Sequence, residues 1–395
     1  MSGIVLSASV RQNLLSLQST ADLLSTTQNR LATGNKVNSA LDNPTNFFTA
    51  QALNNRASDI NNLLDGIGNG VQVLQAANTG ITSLQKLVDT AKSIAQQVLQ
   101  APVGYSTKSS VTSGAVTGGT AANLLGTGLA QGDVLAIAAT GGGTASSITF
   151  GTGAAEVDTL SELNAALAAN NLQASVDDTT GKITITTTND VASSAVGALS
   201  GTATGASKAF LAASVATVTK VADAASQSTR ASLVAQYTNI IAQISTTAQD
   251  SSFNGINLIN GDNLKLTFNE TGKSTLNISG VTFNAAGLGL ASQVVGTDFL
   301  DSASANKAIA ALGAASNTLR TQASALGSNL SLVQIRQDFS KNLINVLQTG
   351  SSNLTLADTN EEAANSQALS TRQSIAVSAL ALANQSQQSV LQLLR

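Results

Sequence analysis

The sequence predicts a mainly α fold: long coiled-coil helices from both termini forming a bundle with a β-hairpin, plus an inserted small α/β or mostly-β outer domain. Three observations predict it. The two ends share one seven-residue apolar rhythm. Val10, Leu14, Leu17, Ala21, Leu24, Gln28 and Leu31 step by alternating fours and threes, and Leu369, Gln373, Ala376, Leu380, Ala383, Gln387, Val390 and Leu394 do the same. That spacing keeps one helical stripe facing a partner helix. Longer periodic segments lie inside these ends. The stretch 101–220 breaks the pattern, being rich in Gly, Thr, Ser and Ala with short alternating runs.

Taken in order, the first helix is expected from about residue 5 to 31, ending at Thr33-Gly34-Asn35. Asp42-Asn43-Pro44 reads as the next helix start, with Asn43 as N-cap and Pro44 at the first helical position. The seam of that helix runs Leu53, Ala57, Ile60, Leu64, Ile67, Val71, Leu74, Asn78, Ile81, and Pro102 and Gly104 close it. Gly66, Gly68, Gly70 and Gly80 oppose its continuity at about 1 kcal/mol each. Within 101–220, Thr159 and Glu162 offer a capping box for a short helix. Ile183-Thr184-Ile185-Thr186 after the turn 177–181 signals a hairpin. A partly disordered linker is the alternative for this segment, given its composition. Helical rhythm resumes near Ala222 through Leu233, Tyr237, Ile240 and Ile244. A hairpin follows, with strands at 264–269 and 276–283. A third long helix has its seam at Ile309, Leu312, Leu319, Ala323, Leu326, Leu330, Val333, Ile344 and Leu347, and Gly350 is expected to break it. The divisions drawn are 1–43, 44–100, 101–220, 221–349 and 350–395, so outer helices enclose inner helices, which enclose the inserted domain.

Composition removes several function classes. The chain has 395 residues, 19 basic against 22 acidic, and no cluster of basic residues interleaved with aromatics, so nucleic-acid binding has no footprint. Histidine and cysteine are absent, which removes imidazole acid–base chemistry, thiol nucleophiles and disulfides. No cofactor is expected. Glu156, Asp158 and Glu162 lie close in sequence, as do Asp177 and Asp178; each group reads as a solvated turn or helix start, and Asp177-Asp178 lacks a calcium-loop pattern. No window is apolar enough for a membrane span, and no cleavable leader is expected at the N-terminus. With 3% aromatic and 10% charged residues, the helices need packing partners to stay ordered. The paired ends therefore point to assembly, with Val10, Leu14, Leu17, Leu24, Leu31, Leu369, Leu380, Val390 and Leu394 as the candidate assembly residues.

Four stretches carry a family resemblance: RLATGNKVNSALDNPTNFFTAQAL (30–53), Asp65-Gly66-Ile67, SSFNGINLI (251–259) and IAVSALALANQSQQSVLQLLR (375–395). They resemble bacterial flagellin, and the link 39–46 is similar to its alphaproteobacterial branch. The match spans about 1–100 and 221–395. The resemblance implies that 1–43 and 350–395 form an inner tube, that 44–100 and 221–349 form a surrounding rod with its hairpin, and that 101–220 is a variable surface-exposed outer domain. It implies a secreted, extracellular, non-enzymatic subunit of the flagellar filament that polymerises with its own copies. The implied partners are hook-associated junction and cap proteins, the flagellar export apparatus and a chaperone, with no nucleic acid. A hook-associated junction or cap protein shares such ends and is the first alternative; a surface adhesin is the second. One departure is that the bulk of the insertion precedes the helix bearing Phe253-Asn254-Gly255. The segment 159–187 resembles a short motif repeated in the outer domains of this family.

Overall fold

The computed structural model describes residues 8–393. Its helices are α1 (Ala8–Thr33), α2 (Pro44–Gln100), α3 (Leu160–Ala168), α4 (Ala224–Asp250), α5 (Ser302–Thr355) and α6 (Thr359–Leu393). Its strands are β1 (Tyr105–Thr107), β2 (Ser110–Thr112), β3 (Val134–Ile137), β4 (Ser146–Thr149), β5 (Leu172–Asp177), β6 (Lys182–Thr187), β7 (Leu199–Ser200), β8 (Ala216–Val218), β9 (Val221–Ala222), β10 (Leu264–Thr267) and β11 (Thr275–Ile278). The fold is mainly α, with a β-rich region between the long helices. Contacts divide the chain into two compact units: Met1–Val71 with Lys265–Asn277 and Ser331–Arg395, and Gln72–Leu264 with Ile278–Leu330.

In the first unit, α1 pairs with α6, and the start of α2 packs on the end of α5. The Asn43 side chain accepts from Asn46 N at 3.0 Å, the N-cap bond that starts α2 behind Pro44. Ala57, Ile60, Ile344 and Leu347 form the core there, flanked by Leu53, Leu64 and Leu343. Helix α5 does not stop at Gly350 but continues to Thr355. The Ser351 hydroxyl donates to Ala50 O at 3.2 Å, and that packing outweighs the roughly 1 kcal/mol that one glycine costs a helix. Helix α2 likewise runs unbroken through its glycines. At Gly70 a Cβ would lie 2.4 Å from Leu266 Cδ2, so the glycine is what lets the hairpin side chain reach the helix.

In the second unit, the α2 seam buries Leu74, Ile81, Val88 and Ala95, interleaved with Ala77, Leu84, Ala91 and Val98. Asn78, expected in this seam, faces solvent and Ala77 takes its place. A Cβ on Gly80 would lie 2.4 Å from Ser251 Oγ and 2.6 Å from Ile259 Cδ1, a second close approach. The hairpin strands are shorter than the alternation implied. Val281 N and Phe283 N donate instead to Leu258 O and Ile259 O, at 2.8 and 2.9 Å, which removes them from the β10–β11 ladder.

Residues between α2 and α4 form a packed domain and not a disordered linker. An antiparallel sheet runs in the order β5-β6-β2-β8, and a second runs β4-β3-β7. Phe150, Phe210, Leu129, Leu135, Leu163 and Ile185 are among its fully buried core residues. The capping box at α3 forms as read, with Glu162 N bonded to Thr159 Oγ1 and Glu162 Oε2 accepting from Thr159 N. Gly181, at φ +66°, closes the β5–β6 turn.

Candidate self-assembly surface

The surface is built on the α1–α6 pair and on the link that ties their ends. Thr355 O accepts from Lys36 N at 2.7 Å and from Val37 N at 3.3 Å, and Ala357 N donates to Gly34 O at 2.9 Å. Arg30 Nη1 lies 3.4 Å from Glu362 Oε1, an ion pair whose carboxylate is nearly buried. The last turn of α1 thus meets the first turn of α6, and the two helices run antiparallel from there.

On α6, Ser366, Leu369, Gln373, Ala376, Leu380 and Ala383 are half-buried along this face, and the last five are the first five of the eight positions the heptad marks; the Gln387 side chain lies outside the described residues. On α1 the packed face is rotated. Val10, Thr20 and Thr27 are buried, and Asn13, Leu17, Ala21 and Leu24 are half-buried. Leu14 and Leu31 remain exposed, and so does Gln28. Buried Thr20 satisfies its hydroxyl within the helix by donating to Ser16 O at 2.8 Å, so the face can be polar without leaving a donor unmet. The Val390 side chain and Leu394 lie outside the described residues.

The rest of the first unit carries apolar side chains that nothing within it covers. Two thirds of the large exposed hydrophobic residues among those described fall in this unit, although it holds fewer than half of the residues. Leu15 is 67% exposed and Leu382 70%, both pointing away from the α1–α6 seam, with Ile375 beside Leu382 on the same far face. Along α5, Leu332, Ile335, Phe339 and Val346 form a second heptad stripe turned away from the buried Val333, Ile344 and Leu347. The sequence reading picked out only the inward stripe. The outward one was legible as a parallel row spaced by threes and fours. In the link, Leu41 is 96% exposed at the tip of a turn held by Asp42, whose Oδ2 accepts from Asn38 N at 3.0 Å and Ser39 N at 2.8 Å. These bonds, Ser39 first, hold the Asp42 carboxyl below its ordinary value.

The acidic groups singled out in the sequence of the inserted domain bond to neighbouring groups of that domain. Asp178 Oδ1 accepts from Ala121 N at 2.8 Å, Asp177 accepts from Thr179 N and Thr180 Oγ1, and Glu156 Oε2 accepts from Gly153 N. No group of three or more potential metal ligands occurs among the described residues. Nor is any described helix long and apolar enough to cross a membrane. Of the aromatic residues in 101–220, Phe150 and Phe210 are buried and Tyr105 is half-buried beneath Lys220.

The architecture defines a class: a chain whose two terminal helical regions zip together and whose middle is an inserted β-rich domain. A family model described as the bacterial flagellin N-terminal helical region matches residues 5–114, and one described as the bacterial flagellin C-terminal helical region matches 309–394. The chain belongs to the bacterial flagellin family. Among relatives, it is 34% identical over 155 residues to Flagellin FljK of Caulobacter vibrioides, covering 39% of this chain and 55% of that one. Flagellin FljM of the same organism is 33% identical over 155 residues, with the same two coverages. A flagellin of Brucella melitensis is 30% identical over 171 residues, covering 40% of this chain and 59% of its own length. The chain thus spans a little over half the length of these curated relatives.

Proposed function

We propose that this protein is a structural, non-catalytic subunit that polymerises with its own copies into the extracellular flagellar filament used for swimming. In that filament 1–43 and 350–395 line the inner tube, 44–100 and 221–349 form the rod, and 101–220 faces outward. Val10, Leu14, Leu17, Leu24, Leu31, Leu369, Leu380, Val390 and Leu394 belong to the assembling ends. Export apparatus, chaperone, and hook-associated junction and cap proteins are its transient or terminal partners.

The observation that carries this reading is the concentration of uncovered apolar side chains on the first unit. Fully covering a leucine, isoleucine, valine or phenylalanine gains about 1.5–3 kcal/mol. Four residues along α5, each already partly covered, therefore gain at most roughly 6–12 kcal/mol, comparable with the roughly 4–15 kcal/mol lost when two bodies associate. One stripe alone holds a neighbour weakly; the terminal pair and α5 have to be covered together, as happens when each copy touches several others. Contacts of that kind that do not close on themselves produce a helical polymer.

The test is a variant with Leu15→Ser, Ile375→Ser and Leu382→Ser, which leaves the inward face of the pair intact. Unchanged helicity by circular dichroism with no filaments in electron micrographs is the expected result. Normal filaments from this variant would refute the reading.

A further inference from the structure

The chain leaves α2 and returns to α4 through a neck held by more than its two covalent connections. There β1 and β9 pair antiparallel, and Gly104 O accepts from Asp223 N at 3.1 Å and from Gln227 Nε2 at 3.0 Å. Three consecutive residues ahead of α5 supply further ties. The Phe299 carbonyl accepts from Arg230 Nη1 at 2.5 Å, and the Leu300 carbonyl from Gly104 N at 3.4 Å. The Asp301 carboxylate accepts from Ser193 N at 2.7 Å and from the Ser193 hydroxyl. The tripeptide 299–301 is therefore bound to a helix at its first residue and to the neck and inserted domain at the other two.

Arg230 lies on α4 at 1% exposure. Its Nε donates to Pro102 O at 2.6 Å, and Nη2 donates to Val98 O at 3.0 Å and Ala101 O at 2.8 Å. These carbonyls belong to the end of α2, where the last turn lacks helical partners and the peptide dipoles present their negative end. The hydrogen bonds of this buried cation all go to carbonyl oxygens, and the nearby Asp301 carboxylate adds a favourable charge interaction. The planar guanidinium reaches four of them at once, which a lysine ammonium does not. Phe299 is fully buried, at φ +60°, with its ring edge-on to Tyr237 at 5.3 Å. Anchoring its carbonyl therefore sets the direction in which Leu300 and Asp301 project.

We propose that Arg230 and the tripeptide 299–301 form a latch that fixes the orientation of residues 105–222 on the helices of the second unit. The inserted domain is then a rigid branch and not a bead on two strings. Arg230 is a positioning residue acting through Phe299; Asp301 is the group that engages the domain. The latch lies within one chain and does not depend on polymerisation.

The chain has no cysteine, so paired labels can be placed without background. Spin labels at Lys86→Cys on α2 and Lys182→Cys on β6, both exposed positions, report the distance between helix and domain by pulsed electron resonance. The full chain is diluted into unlabelled protein so that only distances within one chain are read. The expected result is one narrow distribution that broadens severalfold in Asp301→Ala and in Arg230→Met, with the helical circular dichroism signal retained. Arg230→Met also removes the bonds to the carbonyls at the end of α2, so Asp301→Ala decides. Broadening in that variant supports the latch. A broad distribution in the unaltered protein, or an unchanged narrow one in Asp301→Ala, overturns it.

Discussion

Leu84 and Leu15 are the same side chain in opposite surroundings: the first is fully enclosed in the second unit and the second stands 67% exposed on the first. Leu84→Ala leaves a cavity and is expected to lower unfolding stability by about 2–5 kcal/mol in a urea titration. Leu15→Ala should stay within about 0.5 kcal/mol of the unaltered monomer while raising the concentration needed for polymerisation. Equal losses of monomer stability in the two variants would contradict this division of labour. Tyr237 gives a second check. Burial pushes its phenol up to about 12, and burial also raises Tyr105, the chain's other tyrosine. A phenol whose folded value lies above its unfolded value of about 10 lends stability below that pH and loses it as the pH climbs towards 12. Ultraviolet titration should therefore show less phenolate near pH 10 in the folded protein than in the unfolded one, and the loss of stability between pH 10 and 12 should shrink in Tyr237→Phe. Arg230 shows what the sequence concealed at this scale. It occupies a core-facing position on α4, and nothing in its neighbours announces that the carbonyls it needs come from residues 98–102 and 299.

Among elements, the link between α1 and α2 depends on one carboxylate. Asp42 gathers the backbone donors of Asn38 and Ser39, which favour its ionised form and lower its pKa, Ser39 most strongly. A depressed carboxyl lends stability above its unfolded value and loses it as the pH falls through the folded one. Protection of the Asn38 and Ser39 amides from hydrogen exchange, taken relative to the intrinsic rate at each pH, should accordingly fall as the pH drops below the ordinary carboxylate range, and should already be lost at neutral pH in Asp42→Ala. Protection that does not change with pH in the unaltered chain would show that the turn is held by something else. The long helices were legible because their apolar period persists for many turns and Pro44, Pro102 and the Asn43 cap punctuate them. What periodicity could not give was rotation. On α1 the expected stripe is packed only in part: Val10 is buried and Leu17, Ala21 and Leu24 are half-buried, whereas Leu14, Gln28 and Leu31 are exposed and Thr20 and Thr27 are buried beside it. A seam chosen by hydrophobicity marks where burial is wanted in total, whereas the intrachain pair uses only part of it. The end of α5 was missed for a related reason, since Gly350 weighs less than the packing of the turns around it.

For the molecule as a whole, the nesting of helices around an inserted domain followed from the change of composition at 101–220. The path inside that domain did not: the order β5-β6-β2-β8 brings a strand from residue 110 between partners near 185 and 217, a pairing that no local pattern encodes. Charge is also distributed by domain. Residues 101–220 hold four lysines against seven carboxylates, a balance of −3 equal to that of the entire chain, so the remainder is neutral. A neutral body associates with copies of itself without long-range repulsion, while each copy added brings three negative charges with its inserted domain. With that domain facing outward as proposed, fibres are expected to stand apart from one another in dilute buffer. As added salt draws the screening length in from about 30 Å at 0.01 M to about 3 Å at 1 M, they should come to lie side by side, and turbidity at constant polymer mass would record the bundling.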